Sequence, residues 1–387
     1  MMDGNWHEGF KKGLALGLSG NIFSVGLRGN RPSAPPVIAS GTDWYKGSAK
    51  IYSIYRVTFS DYEAPDTYDE MWDASADGSG DVRGYIFDYD EHGNKEIALV
   101  GNGAGTIKAV GSFKFTDFSN LRYVVNFRIL DTSEVTDMSY MFSYVPLYEI
   151  DMSNFDTSNA TDMSYMFYES LRVGAKGVDL GNFDTRKVTN MSYMFYYICY
   201  WSRGKGPNLS SFDTSNVTDM SYMFYKCMCG GYLDVRNFDT RNVKNMACMF
   251  YGCTQSYIDV SNFDTRNVTS MASMFSSASI TCLDVSSFDT SNVTTMFNMF
   301  GDSSIISVDV SSFDTSNVTN MEYMFDNCKE LTSLDLSNFD TSNVTNMGSM
   351  FKKCSDLEAV YVGPGWVEAA DNTDMFTECG VSSVTHK

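Results

Sequence analysis

The sequence predicts an α/β repeat solenoid of about nine 25-residue units, each a strand, a turn and a short helix, behind a β-rich N-terminal cap. Three observations predict it. First, the string Phe-Asp-Thr-Ser-Asn-Val-Thr-x-Met-x-x-Met-Phe, with small variations, begins at Leu130, Phe155, Phe183, Phe212, Phe238, Phe263, Phe288, Phe313 and Phe339. The spacings are 25, 28, 29, 26, 25, 25, 25 and 26 residues, and a partial copy ends at Met375-Phe376. Self-similarity at a fixed period of this length is the signature of a stacked array. Second, short alternating runs such as Leu233-Asp234-Val235, Ile258-Asp259-Val260 and Leu334-Asp335-Leu336 precede each Phe, with the period of a half-buried strand. Third, Met138, Met141 and Phe142 and their counterparts fall at i, i+3 and i+4, which predicts one face of a short helix. One unit is too small to offset the entropy of ordering its backbone, so stacked neighbours are required.

The elements divide into four segments. In residues 1–36, Trp6, Phe10, Leu14 and Leu18 recur every four residues beside Gly9, Gly13 and Gly17. They predict an apolar stripe on an N-terminal helix that serves as an assembly anchor, closed by a linker at Pro32, Pro35 and Pro36. Residues 37–124 read as a β-rich capping domain, with Tyr85-Ile86-Phe87 and Ile97-Ala98-Leu99-Val100 either side of a turn at His92-Gly93-Asn94. Residues 125–355 form the solenoid. Within it Asp-Thr-Ser-Asn is a turn cluster, and the x residue, such as Asp137, Asp162 or Asp219, caps the segment that follows. Residues 356–387, with Val360-Tyr361-Val362 and Met375-Phe376, form a C-terminal cap.

The repeat string resembles that of the BspA-like leucine-rich-repeat surface proteins over about residues 125–355. The segment Trp72-Asp73-Ala74-Ser75-Ala76-Asp77-Gly78-Ser79 resembles the lead-in before such arrays. The resemblance implies a leucine-rich-repeat-like fold and a surface-exposed binding or adhesion role, and it names no ligand. The opening helix also resembles short N-terminal segments of phage structural proteins.

Composition narrows the function. A net charge of −20 repels phosphate backbones and anionic membrane surfaces, so nucleic acid is not an expected partner. No run of 18 apolar residues is present, so no membrane span is expected. Lys11-Lys12 and Leu14 to Leu18 resemble a short signal-peptide core without a small-x-small cleavage site, and the C-terminus carries no wall-sorting tail. Three histidines, His7, His92 and His386, leave little for general-base or metal chemistry, and no cofactor or metal is expected. Nine cysteines without a CxxC pair predict reduced thiols. Cys227, Cys253, Cys328, Cys354 and Cys379 stand three residues after the recurring Phe, where other units hold Val145, Ser170, Ile198, Ala278 and Ser303, so this is a packing position. The run Asp73 to Asp81 imitates a calcium loop but has Gly84 where a bidentate Glu is needed, and it reads as a turn. Sequons such as Asn216-Val217-Thr218 belong to the repeat motif and read as structural. The aspartates at Asp151, Asp179, Asp234, Asp259, Asp284, Asp309 and Asp335 read as a solvated polar column, with cation binding the alternative. Those from Asp156 to Asp340 in Phe-Asp-Thr read as backbone caps.

The strongest binding candidate is aromatic. Tyr140, Tyr165, Tyr193 and Tyr222 occupy the position before the second Met; Tyr168, Tyr196, Tyr225 and Tyr251 follow the Phe, with Tyr144 one position further on. Long connections add Tyr197, Tyr200 and Trp201. Tyr and Trp give large contact area at small entropic cost. The expectation is therefore not an enzyme but a recognition or adhesion protein. It would bind a host or cell-surface protein or glycan, and would join other virion or surface subunits through the N-terminal helix. It would sit on a phage virion as a fibre or decoration protein, or alternatively on a bacterial cell surface as a secreted adhesin; a purely structural spacer is the third reading.

Overall fold

The computed structural model describes residues 37–38, 54–61, 68–74, 82–88, 95–101, 107–112, 123–126, 130–145, 152–170, 179–199, 206–369 and 371–387. The chain divides into two compact units, Met1–Ala34 and Pro35–Lys387. Trp6, Phe10, Leu14 and Leu18, expected to form an anchor, the prolines expected to form a linker, His92 and residues 75–81 lie outside the described residues, as do Tyr200 and Trp201.

Thirteen strands are described: β1 (Val37–Ile38), β2 (Ile54–Asp61), β3 (Glu70–Asp73), β4 (Val82–Asp88), β5 (Lys95–Gly101), β6 (Ile107–Ser112), β7 (Tyr123–Asn126), β8 (Leu130–Asp137), β9 (Cys282–Leu283), β10 (Ser307–Val308), β11 (Ser333–Leu336), β12 (Ala359–Val362) and β13 (Thr385–His386). A mixed five-stranded sheet runs in the order β3-β4-β5-β2-β7. Its antiparallel β4–β5 pair, with Ile86 opposite Ile97, lies where the alternating residues place it. Parallel strands β1, β6 and β8 lead into the first coil of the array.

From there the chain stacks coil on coil through a ladder of single parallel bridges. The ladder joins Asp137, Asp162, Asn190, Asp219, Asn245, Ser270, Thr295, Asn320, Asn346 and Asp371. These are the x residues of the motif, and in Asp162, Asp219 and Asn320 the side-chain oxygen accepts the N–H two residues on, at 2.8–2.9 Å. One apolar core runs from Ala74 to Met375. Its spine is Phe142, Phe167, Phe195, Phe224, Phe250, Phe275, Phe300, Phe325, Phe351 and Phe376, each ring 5.4–6.0 Å from the next.

The structure corrects the expected fold class. No helix occurs among the described residues, so the array is not an α/β solenoid of strand-turn-helix units, and the leucine-rich-repeat-like form fails with it. Met138, Met141 and Phe142 are buried as the spacing requires, but on a chain of turns. The N–H groups of Met141, Ser143 and Val145 close turns on the carbonyls three residues back. Those of Met138, Tyr140, Phe142 and Tyr144 cross instead to Asp162, Ser164, Met166 and Tyr168 of the next coil, at 2.8–3.0 Å. A helix would consume all these donors internally. It would also hold neighbours 8–10 Å apart, whereas rings on successive coils here sit 4.3–4.4 Å apart. Two residues per coil take a left-handed conformation and break the helical path, for example Tyr140 (φ 58°) and Tyr144 (φ 61°). The alternating runs are likewise shorter than expected: regular strand forms at β9, β10 and β11 but not at Leu233-Asp234-Val235 or Ile258-Asp259-Val260.

Polar ladders hold the turn edge. Each buried motif threonine donates its hydroxyl to the next coil and most accept an N–H in return, as where the Thr240 hydroxyl donates to the Asp264 carbonyl and accepts the Asp264 N–H. Each motif asparagine donates its side-chain amide back one coil, as Asn242 does to Ser215 and Asn267 to Arg241, both at 2.7 Å.

Candidate functional site: a paired tyrosine ladder

The first of the two left-handed residues of each coil turns its side chain away from the Met and Phe beside it. In the first four coils that residue is Tyr140, Tyr165, Tyr193 and Tyr222, and the rings stack at 4.4, 4.4 and 4.3 Å with planes within 9° of parallel. Tyr168, Tyr196, Tyr225 and Tyr251 form a second column at 4.5 Å, within 7° of parallel. The columns meet at a tilt of 35–36° within each coil, at 5.6 Å for Tyr165–Tyr168, Tyr193–Tyr196 and Tyr222–Tyr225. Tyr144 caps the second column, tilted by 64° against Tyr168. Tyr140 and Tyr144 are exposed, at 40 % and 58 %, and the remaining rings are half-buried. Each aromatic contact contributes about 0.5–1.5 kcal/mol beyond burial, so the rings are held in place before any partner arrives.

The columns end where the sequence changes. Cys248 and Ser276 take the next positions, and the Tyr222 hydroxyl meets Cys248. Burial and the neighbouring phenols push Tyr225 up to about 12. Burial likewise raises Tyr165, Tyr168 and Tyr196, and column neighbours bond hydroxyl to hydroxyl. The rings therefore stay neutral at physiological pH. Because ring faces cover one another along each column, the surface offers ring edges and rows of hydroxyls.

Lys226, which the sequence reading did not single out, lies against this surface. Its Nζ donates to the Tyr197 hydroxyl at 2.9 Å and stands 5.1 Å over the Tyr197 ring and 5.7 Å over that of Tyr225. The Tyr197 hydroxyl holds the ammonium above its ordinary range. A separate exposed pair, Tyr232 and Tyr257, also escaped the sequence reading; the rings are 6.4 Å apart, with Arg236 over Tyr232. No motif marked either, since each depends on which residues become neighbours between coils. An open groove of about 640 Å³ on the turn edge is lined by Asp239, Arg241, Asp264 and Arg266, whose charges pair within their own coils.

The other candidates resolve as backbone chemistry. Asp234, Asp259, Asp284, Asp309 and Asp335 each accept the N–H two residues on. Hydrogen bonds from Arg236 and from Ser286 hold Asp234 and Asp284 below the usual carboxylate range, and Lys387 holds Asp335 at about 2. Asp156, Asp213 and Asp340, in the second column, likewise accept the N–H two residues on. Cys253, Cys328 and Cys354 donate to Phe224, Phe300 and Phe325 carbonyls from buried packing positions. The Asn216 amide is engaged with the Arg186 carbonyl, in keeping with a structural role for the sequon. Among the described residues no cluster of three or more His, Cys, Asp or Glu has metal-binding geometry, and no helix is long and apolar enough to cross a membrane.

Stacked coils with a continuous Phe spine and paired tyrosine columns define a repeat protein that presents one regular face. Four overlapping segments, residues 112–227, 175–286, 201–309 and 278–384, match the family described as Mycoplasma protein of unknown function, DUF285. They extend over well more than half of the chain, and the chain belongs to that family. No curated protein and no solved structure matches it.

Proposed function

We propose that the protein is a non-enzymatic recognition or adhesion protein that binds a protein partner across the paired tyrosine columns. The observation that carries this reading is the pre-stacked, half-exposed double ladder. Rings already fixed by their neighbours lose little freedom on binding, which removes a main cost of association. Of the two partner classes expected, protein is favoured over glycan. Sugars stack on ring faces, and here the faces are taken by adjacent rings, leaving edges and hydroxyls. The net charge of −20 favours a partner with basic side chains. The family's description from Mycoplasma proteins favours display on a cell surface, in the manner of BspA-like adhesins, over mounting on a phage virion.

The test is binding of the full chain to a panel of purified cell-surface and matrix proteins and to a glycan array. Tyr165→Ala combined with Tyr196→Ala is expected to weaken protein binding at least about tenfold, while Tyr232→Ala with Tyr257→Ala leaves it unchanged. Signal on glycans alone, or equal binding by both double variants, would overturn the reading.

A further inference from the structure

Four thiols from three successive coils, Cys199, Cys227, Cys229 and Cys253, lie together in the core next to the coils that carry Tyr197 and Lys226. Within this group the Cys199 and Cys229 Sγ atoms are 2.6 Å apart, whereas Cys227 and Cys229 stand at 3.6 Å. A disulfide bond spans about 2.05 Å, so the first pair needs only a small closing movement. The backbone sets this register. The Met228 N–H donates to the Ile198 carbonyl at 3.1 Å, which places the residues following each of them side by side. Gln255 reaches in from the third coil and donates to the Cys229 carbonyl at 3.0 Å.

We propose that Cys199 and Cys229 are the site of an intrachain disulfide that staples two successive coils, the first of which carries the longest connection of the array, while the remaining thiols stay reduced. The class of oxidant is a small-molecule or protein disulfide, with glutathione disulfide as the probe. The Cys229 thiolate attacks one sulfur and forms a mixed disulfide, expelling one glutathione thiolate. The Cys199 thiolate then attacks Cys229 Sγ, closing the protein disulfide and expelling the second glutathione. Two protein thiols are oxidised and one glutathione disulfide is reduced to two thiols. Cys229 retains 6 % exposure, whereas Cys199 is fully buried, which makes Cys229 the reachable partner. The Cys199 and Cys227 contacts, with burial, push Cys229 above the ordinary thiol range, so exchange in the folded chain is slow and closure during folding is fast.

The full chain is incubated with glutathione disulfide, both folded and while refolding from denaturant, then alkylated in denaturant and mapped by mass spectrometry after trypsin digestion. The expected result is two fewer alkylated thiols than the nine of the reduced chain, with the peptide bearing Cys199 linked to that bearing Cys229. Cys227→Ser keeps the link and Cys199→Ser removes it. Oxidation should raise the thermal midpoint by about 5 °C, because the bond closes a loop of 30 residues. Linkage in both arms, or in the refolding arm alone, supports the proposal. Nine reactive thiols in both arms, or a link through Cys227 or Cys253, overturns it. Should either serine variant misfold, fragmentation of the wild-type tryptic peptide that carries both Cys227 and Cys229 shows which of the two is alkylated and which is linked.

Discussion

The tyrosines of the ladder combine two opposed local demands. Each of Tyr140, Tyr165, Tyr193 and Tyr222 holds a φ of 58–59°, a conformation that costs a side-chain-bearing residue about 1–2 kcal/mol. Ring stacking on two neighbours offsets that penalty only while the column is continuous. The second left-handed site of the coil, which holds Tyr144 and Tyr197, carries Gly252 (φ 64°) in one coil and Ser277 (φ 56°) in the next. Gly252→Ala should therefore lower the denaturation midpoint, by about 1 kcal/mol, because the new Cβ also falls 2.8 Å from Lys226 Cγ. Ser277→Gly should raise it by a few tenths of a kcal/mol, the relief less the added freedom of the unfolded chain. Urea titration of both variants checks the pair. The phenols give a second expectation. Tyr225 is held at about 12 in the folded state against about 10 unfolded, so the folded chain binds this proton more tightly. That contribution is complete below pH 10 and is lost as pH rises toward 12. Tyrosinate absorbance should show Tyr165, Tyr168, Tyr196 and Tyr225 ionising only with unfolding, while Tyr→Phe at Tyr225 should soften the alkaline transition.

At the scale of the coil, stability is set by hydrogen bonds between neighbours. Thr240 shows the economy of the motif, since one buried hydroxyl satisfies both the N–H and the carbonyl of Asp264. Thr240→Val keeps the shape and leaves both groups without a partner, at a cost of about 2–4 kcal/mol, whereas Thr240→Ser should be nearly neutral; thermal denaturation distinguishes them. This scale is also where the sequence was partly legible. Period, buried Met and Phe, turn aspartates and the outward tyrosines could all be read from residue spacing. The helix could not be excluded that way, because Met138, Met141 and Phe142 at i, i+3 and i+4 fit a chain of turns as well as a helical face. A signal was present: the two left-handed positions hold Gly252, Asn298, Asp302, Asn327 and Asp374 in later coils, residue types that tolerate φ above zero. Tyr140, Tyr144 and Tyr193 at the same positions hid it. Which rings would stack, and that Cys199 would meet Cys229, depended on alignment between coils of 28, 29 and 26 residues, which spacing alone does not determine.

At the scale of the molecule, each coil contacts its neighbours through repeated bonds, so coils are exchangeable in whole units. Deleting residues 263–287, one complete period, should leave a folded chain with a lower thermal midpoint. Deleting residues 263–275 removes half a period, puts the motif threonines and aspartates out of register, and should abolish the cooperative transition seen by circular dichroism.

Every coil passes its unpaired donors forward, and among the described residues no coil stacks on that of Asn372 to Glu378. The N–H groups of Asn372, Asp374, Phe376 and Glu378 repeat the positions of those of Met138, Tyr140, Phe142 and Tyr144, and they meet no acceptor among the described residues. Such an edge is a template for head-to-tail growth into filaments. Asp371, Asp374 and Glu378 are exposed there, and their negative charge opposes the equally acidic surface of a second chain. The acidity of this terminus thus acts as a polymerisation brake, so acidic or high-salt storage, which weakens that repulsion, is the condition under which fibres would first appear.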